Sequence, residues 1–414
     1  MVEHLRSSLW FLPAVFAAGA FVLAGLTLAI DRQLSLERLG SLQFGGSAEG
    51  ARSVLATIAQ SMLTFTALVF TITMLVLQLA SSQLSPRVMR TFLRDRGNQT
   101  VLGLFVATFL YTLVVLRDVR SADTGIEFVP GFSIFVAFLL LLACVVAFVY
   151  YINHMAHAIR PTSVIESIAT ETRQAIDRLF PQVVGDGPEV AVPWRAANAA
   201  ASDVVVAPAA GTLVTIDEDS LVEVLRRSDT VAALVPMVGD FLPEGAPLFR
   251  ISRPDDRLAE RLQGLVTLAP ERALQQEAAF GFRQIVDVAV RALSPGTNDP
   301  TTAVQAIDRL HDLLRRVVER PLRPLIRTDD GGQPRLIVPR PDWSDYVHLA
   351  VDEIRISGRA QVQVISRLRA MLEDLAAIAP ADRQPVIRQE LSEVDRAAAA
   401  FDSEHDQWRA RRSR

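Results

Sequence analysis

The chain has 414 residues, half of them hydrophobic, so it is long enough for two or three domains and unusually apolar for 21% charged residues. All 42 basic residues are arginines, which excludes lysine Schiff bases, a phosphate-loop lysine and lysine-attached cofactors. Residues 160–414 carry 32 Arg against 38 acidic residues, and this acidic balance argues against nucleic acid as a partner.

Four apolar runs lie within the first 159 residues: Leu9–Ile30, Val54–Ala80, Val101–Leu116 and Phe132–Ile152. The first is too long for the apolar core of a signal peptide, and no small-residue cleavage site follows it. The second would reach about 40 Å at ~1.5 Å per residue, so it must tilt or project from a hydrocarbon core of ~30 Å. We predict an integral membrane α-helical domain of four transmembrane helices over residues 1–159, embedded in a lipid bilayer.

The short connectors between the runs predict the orientation. Connector 118–131 carries Arg120, with Arg117 at its edge, whereas connector 81–100 is richer in arginine and carries Arg87, Arg90, Arg94 and Arg96. Arginine-rich short loops stay on the cytoplasmic side of a bacterial membrane. We therefore expect a multi-pass protein of the bacterial inner (plasma) membrane, with both termini and the whole second part in the cytoplasm.

The second run carries polar side chains on one helical face. A helix advances 100° per residue, so residues seven apart align, and here Thr57, Thr64, Thr71 and Gln78 share a face with Gln60 and Ser61. Polar side chains in lipid need a polar partner or water. The face is interpreted either as packing between spans or as the lining of a path for an ion or small solute. No charge lies inside the four runs, which argues against a proton relay or voltage sensor.

Metal and cofactor chemistry has no clear sequence signal. His154 and His157 stand three apart just past the fourth run, but residues at that depth are typical of the headgroup zone. The single cysteine, Cys144, lies inside an apolar run, so there is no thiolate metal site. His311 and His348 fall singly on predicted helices. We predict no metal site and no cofactor.

The second part of the chain is predicted as a cytoplasmic α+β region. An amphipathic helix and a Gly/Pro-bearing linker cover 160–201, and a small β-rich unit covers 202–252. Its Ala207-Pro208, Gly211 and Val238-Gly239-Asp240 resemble the half-barrels of biotinyl and lipoyl domains. In that family a lysine at a hairpin tip carries the cofactor, and here a short helix without lysine replaces it. The resemblance therefore implies a β-sandwich or half-barrel-like fold without that activity.

Residues 253–405 are predicted as a mostly helical domain, or helical bundle. The Asp-Asp-Gly-Gly turn at 329–332 indicates a hairpin over 325–339. The last helix is expected from Pro385 to about Glu404, and a disordered basic tail over 406–414. Asp299 is predicted to cap the helix that begins with Pro300.

The loop at 294–302 is the strongest candidate for a ligand site in this part. Helix-start amides could hold an anion or phosphate with the ligand-binding candidates Arg283, Arg291, Asn298 and Asp299. The alternative is a structural corner, in which Asp299 caps the following helix and Arg283 pairs with Asp287.

Two longer motifs carry a family resemblance. They are the segment 78–96, which includes Gln78-Leu79-Ala80-Ser81-Ser82-Gln83-Leu84-Ser85-Pro86-Arg87, and the segment 280–303, which includes Ser294-Pro295-Gly296-Thr297-Asn298-Asp299-Pro300. They resemble the bacterial predicted membrane proteins catalogued as domain of unknown function 2254. The resemblance implies four spans with a cytoplasmic domain, and no activity.

Three functions remain open. The first is a homo-oligomeric channel or transport protein, in which the second span lines a path and the cytoplasmic domain gates or assembles it. The second is a membrane-anchored ligand-binding or scaffold protein without transport activity. The third is an enzyme at the membrane face, and we predict that the protein is not one, because no nucleophile–base pair, paired catalytic carboxylates or phosphate loop is found.

Overall fold

A computed structural model of the chain describes residues 11–37, 47–83, 96–120, 128–158, 160–181, 203–253, 256–270, 272, 276–401 and 403–411. The predicted linker at 183–201 lies outside the described residues, as do Arg87, Arg90 and Arg94 of the connector and the last three residues of the tail. The chain forms two compact units, Met1–Arg160 and Pro161–Arg414.

The first unit contains four long helices in its described part: α1 Phe11–Glu37, α2 Ala48–Gln83, α3 Arg96–Asp118 and α4 Gly131–Ala158. Each is long and apolar enough to cross a membrane, with candidate spans of 23, 31, 22 and 27 residues in that order. The predicted four-span architecture is confirmed. The helices extend beyond the apolar runs predicted from the sequence.

Helix α3 is the centre of this unit and packs against the other three helices. Half of its candidate span is buried, compared with 17% of that in α2. Gly103 permits the close approach of α1, because a Cβ atom there would lie only 3.0 Å from the ring of Phe16. Phe105 and Tyr111 of α3 are fully buried and form the middle of the apolar core.

The second unit begins with helix α5 Pro161–Leu179 and continues with a β-rich part. Its elements in chain order are β1 Asp203–Val206, β2 Gly211–Ile216, α6 Glu218–Arg227, β3 Ala232–Leu234, β4 Phe241–Leu242, β5 Pro247–Ile251, α7 Asp256–Gly264 and β6 Val266–Ala269. The helical part follows with α8 Ala278–Ala292, α9 Pro300–Val317, β7 Leu325–Thr328, β8 Pro334–Val338, α10 Trp343–Ser357, α11 Val362–Ile378, a 3₁₀ turn Ala381–Arg383, α12 Gln384–Ala399 and α13 Glu404–Arg411. The α+β class is confirmed.

Two small sheets form the β-rich part, and they cross the predicted boundary at residue 252. One has the order β1-β5-β3-β8-β7 and the other β4-β2-β6. The predicted hairpin over 325–339 is present as β7 and β8, and β8 pairs in parallel with β3. The 202–252 unit therefore does not close on itself. Its two sheets also include β6, β7 and β8 from beyond residue 252. Leu336 and Val338 of β8 belong to the same apolar core as the residues of the 202–252 unit.

In the part of the second unit that the structure describes, seven helices, α5 and α8 to α13, pack together outside the β-rich part. Gly281 of α8 lies against Thr172 of α5 so closely that a Cβ atom would overlap the threonine side chain. The predicted end of the chain is corrected here: the last long helix stops at Ala399, and Glu404–Arg411 form a further helix rather than a disordered tail. That helix has no apolar periodicity, and it is held by packing on α11 and α12 and by Arg369, which donates to the Arg411 carbonyl.

Candidate functional site

The polar face of α2 consists of Thr57, Gln60, Ser61, Thr64, Thr71 and Gln78. All of these except Ser61, which is partly buried, are exposed on the surface of the single chain. The candidate span Ala48–Gln78 contains the whole face. The structure thus places the predicted residues together on one side of a membrane-length helix.

The opposite side of α2 is the one that packs within the chain. Its large buried residues are Leu55, Ile58, Met62, Val69 and Val76, spaced by three, four or seven. At 100° per residue this apolar row points away from the row of Thr57, Thr64 and Thr71. Packing between spans of the same chain therefore does not account for the polar face.

The hydroxyl groups on this face bond within their own helix. Thr57, Ser61, Thr64 and Thr71 each donate to the carbonyl four residues earlier, at 2.8, 2.8, 3.1 and 2.9 Å respectively. The O–H donors are satisfied in this way, but the two acceptor lone pairs of each hydroxyl remain available. Gln60 has no side-chain hydrogen bond to any residue that the structure describes. These groups can accept or donate bonds to water, to a solute or to another chain.

Polar groups that face the interior of the same unit behave differently. Thr73 of α2 meets the Tyr151 hydroxyl of α4 at 2.8 Å, and Thr27 of α1 meets the Tyr111 hydroxyl of α3 at 2.9 Å. These contacts join pairs of helices. Neither pair is visible in the sequence, because isolated hydroxyl residues in apolar runs have no periodic signal.

Asp31 is a further residue that sequence reasoning missed. It is 7% exposed and lies inside the first candidate span, Phe11–Gln33, which corrects the expectation that the spans carry no charge. Its carboxylate accepts bonds from the backbone N–H of Phe132 and Ser133, at 2.8 and 2.9 Å, and from the Ser133 hydroxyl at 2.6 Å. Those amides are unsatisfied donors in the first turn of α4, so α1 supplies the N-cap for α4.

In the second unit, the predicted loop at 294–302 forms a tight corner between α8 and α9. Asp299 caps α9 by accepting bonds from the amides of Thr301 and Thr302 and from the Thr302 hydroxyl. The hydrogen bond from Thr302 lowers the pKa of Asp299. Asn298 adopts a left-handed conformation with φ of 46°, and its side-chain oxygen accepts a bond from Gln361. The helix-start amides are therefore occupied by the chain itself.

Arg283 is similarly engaged. Its Nε donates to Asp287 at 2.7 Å, its Nη2 donates to Glu353 at 2.6 Å, and Nη1 bonds to the same carboxylate. The hydrogen bonds to Glu353 raise the pKa of Arg283 above its ordinary value. An anion at this corner would have to displace two carboxylates. Arg291 is exposed on the same helix.

These features define a class: a multi-pass membrane protein with four apolar helices followed by a folded α+β unit. The chain belongs to the family of predicted membrane proteins known as domain of unknown function 2254, whose profile matches residues 6–374. The segments that carry the resemblance, 78–96 and 280–303, both lie within that match.

Relatives in mycobacteria extend the likeness over nearly the whole chain. An uncharacterised protein of Mycobacterium bovis and one of Mycobacterium tuberculosis are each 32% identical over 415 residues, covering 98% of this chain and 79% of theirs. No solved structure matches the chain.

Proposed function

We propose that the protein is a homo-oligomeric channel or transport protein of the bacterial inner membrane, in which the polar face of α2 lines a path for an ion or small solute. The observation that supports it is the exposure of Thr57, Gln60, Thr64, Thr71 and Gln78 on the side of α2 that does not pack within the chain. Exposed amides and hydroxyl lone pairs are costly against hydrocarbon. Neighbouring copies around a water-filled axis would remove that cost.

The number of spans favours several subunits. The described residues of each chain include four candidate spans, and α2 is the least buried of these four. A path lined by one helix from each chain would use the α2 faces of all copies and leave the α3-centred packing intact.

Substituted-cysteine labelling tests the lining directly. Cys144 is buried, so a Thr64→Cys or Thr71→Cys variant introduces one accessible thiol. In membranes, a water-soluble thiol reagent should modify these variants much faster than a Val149→Cys variant, since Val149 is an exposed apolar residue of α4. Equal rates at the two helices would contradict the proposal.

Flux measurements test the activity. Protein reconstituted in liposomes should conduct ions or small solutes, and a Thr64→Leu/Thr71→Leu double variant should lower the flux at unchanged thermal stability. A Val145→Leu/Val149→Leu variant on α4 is the matched control and should conduct like the unmodified protein. No flux above empty liposomes, or unchanged flux in the threonine variant, would reject the proposal.

The orientation is part of the same proposal. The arginine-rich connector at 81–100 supports a cytoplasmic second unit. A green fluorescent protein fused to the C-terminus should then fluoresce in cells, and alkaline phosphatase at the same place should be inactive. The reverse result would put the second unit outside.

A further inference from the structure

Two helices of the second unit bring three metal-binding side chains together. His348 and Asp352 lie four residues apart on α10, and Glu390 lies on α12, 42 residues beyond the histidine. The Nδ1 atom of His348 is 3.1 Å from a Glu390 oxygen and 3.6 Å from an Asp352 oxygen. One donor atom from each residue lies within 4.8 Å of the other two. The sequence analysis treated His348 as an isolated residue on its helix, whereas in the fold it lies next to two carboxylates.

Glu390 is the unusual member of this cluster. It is only 2% exposed, and its second carboxylate oxygen is buried without a hydrogen-bond partner among the described residues. A buried carboxylate oxygen without a partner is energetically unfavourable, so such groups are rare in proteins unless a ligand or ion satisfies them. A cation bound to Glu390 would satisfy that unpaired oxygen.

Arg355 places a positive charge next to this cluster, but it does not contact the unpaired oxygen of Glu390 as a bound metal ion would. Its Nη2 lies 3.3 Å from Asp352, and its Nη1 lies 3.7 Å from Glu393. Its buried Nε has no partner among the residues that the structure describes. Arg355 therefore partly neutralises Asp352 and leaves the inner oxygen of Glu390 unsatisfied.

A second histidine in the same unit, His311, also contacts a carboxylate, but arginines already neutralise the carboxylates around it. His311 bonds to Asp374 at 2.7 Å, but Arg315 and Arg367 also contact this pair. Arg315 pairs with Asp374 and Arg367 pairs with Asp308, so each carboxylate there already has its own arginine. At His348, by contrast, the Asp352 and Glu390 carboxylates have one arginine, Arg355, close to them, and it contacts only Asp352 of the two.

We infer that His348, Asp352 and Glu390 form a binding site for a divalent transition-metal ion. A tetrahedral site with bonds of about 2.1 Å has donors roughly 3.4 Å apart, which is close to the spacing here. An imidazole with carboxylates suits Zn²⁺ and its neighbours better than Mg²⁺ or Ca²⁺. The side chains of His348 and Asp352 are 39% and 38% exposed, so water can complete the coordination from the open side.

The test uses tag-free, full-length protein in detergent, stripped with chelator and titrated with ZnCl₂ in a calorimeter. The expected result is saturable binding of one Zn²⁺ per chain. Glu390→Gln and His348→Asn should each weaken it at least about tenfold, because even groups that only support a ligand change affinity by 10–100-fold. The X-ray absorption spectrum of the zinc-loaded protein should show nitrogen and oxygen ligands and no sulfur ligand.

Matched variants separate this site from others. His311→Asn should leave Zn²⁺ affinity unchanged, and so should a His154→Asn/His157→Asn variant, which removes the histidine pair at the end of α4. If Glu390→Gln fails to fold, the Zn²⁺ affinity of His348→Asn alone tests the site, because the His348 side chain is partly exposed. Absence of one-to-one binding, or binding that survives His348→Asn, would overturn the inference, as would loss of binding in the His154/His157 variant.

Discussion

The two units of the molecule use polar side chains in opposite ways. In the interior of the membrane unit, single buried polar side chains connect pairs of helices: Asp31 caps α4 from α1, and two tyrosine hydroxyls meet threonines on neighbouring helices. In the second unit arginines join helices at the rim, as Arg316 and Arg320 of the α9 region do with Asp177 of α5. In an apolar environment a single buried hydrogen bond is enough to connect two helices. At a solvent-exposed surface each ion pair is weak, so several of them are used to connect the helices.

Arg383 is the exception in the second unit, and removing it should have the largest effect. It is 8% exposed and donates to the carbonyls of Val317, Val318 and Arg320 at the end of α9, so it closes the C-terminus of that helix. An Arg383→Met change removes all three of these bonds and should cost about 3 kcal/mol. For a unit of this size the thermal midpoint should fall by roughly 6–12 °C.

The midpoint can be followed in detergent by circular dichroism. Arg388→Met, at an exposed position on the neighbouring helix α12, is the control and should shift it very little. Equal shifts for the two variants would mean that the carbonyl contacts of Arg383 do not stabilise the unit.

Asp31 should give the next largest effect, in the membrane unit. Asp31→Ala removes the acceptor for the Phe132 and Ser133 amides and should cost about 2 kcal/mol. The loss can be measured as a lower midpoint of denaturant-induced unfolding of the membrane helices. The nearby exposed pair Arg32–Asp118 provides the contrast, since Asp118→Ala should cost at most about 1 kcal/mol. If Asp118→Ala were the more damaging change, the cap would not be what connects α1 to α4.

The surface pair at Asp177 should give the smallest effect and one that depends on pH. Hydrogen bonding from Arg316 lowers the pKa of Asp177. A carboxylate with a lowered pKa in the folded state stabilises above its unfolded pKa, about 3.9, and this contribution is lost as pH falls through the folded value. Asp177→Asn should therefore lower stability by less than about 1 kcal/mol at pH 7, since the pair is exposed, and by progressively less below pH 4. A penalty that does not change between pH 7 and pH 3 would contradict this account.

Much of the architecture could be predicted because it follows from local patterns. Four apolar runs define α1 to α4, since the length needed to cross a bilayer is set by the helix rise and the lipid thickness. The cap at Asp299 and the hairpin turn at 329–332 were predicted from neighbouring residues alone. The polar face of α2 also follows from spacing along one helix.

The candidate sites depended on distant partners, which no local pattern reports. The sequence shows Arg283 near a helix start, but only the fold brings Glu353 to it, 70 residues away. The same holds for Glu390 at His348, and for β8, which completes a sheet begun at residue 203.

The sequence by itself determined that this is a four-span membrane protein with an acidic α+β unit, because helix periodicity and hydropathy are properties of neighbouring residues. Only the tertiary structure decided which polar groups are paired and which are exposed. The reason is physical: a side chain's partners are set by which helices pack together, and that packing arises from many distant contacts at once. Thr64 and Thr73 lie on the same helix, yet one faces outward and the other meets Tyr151.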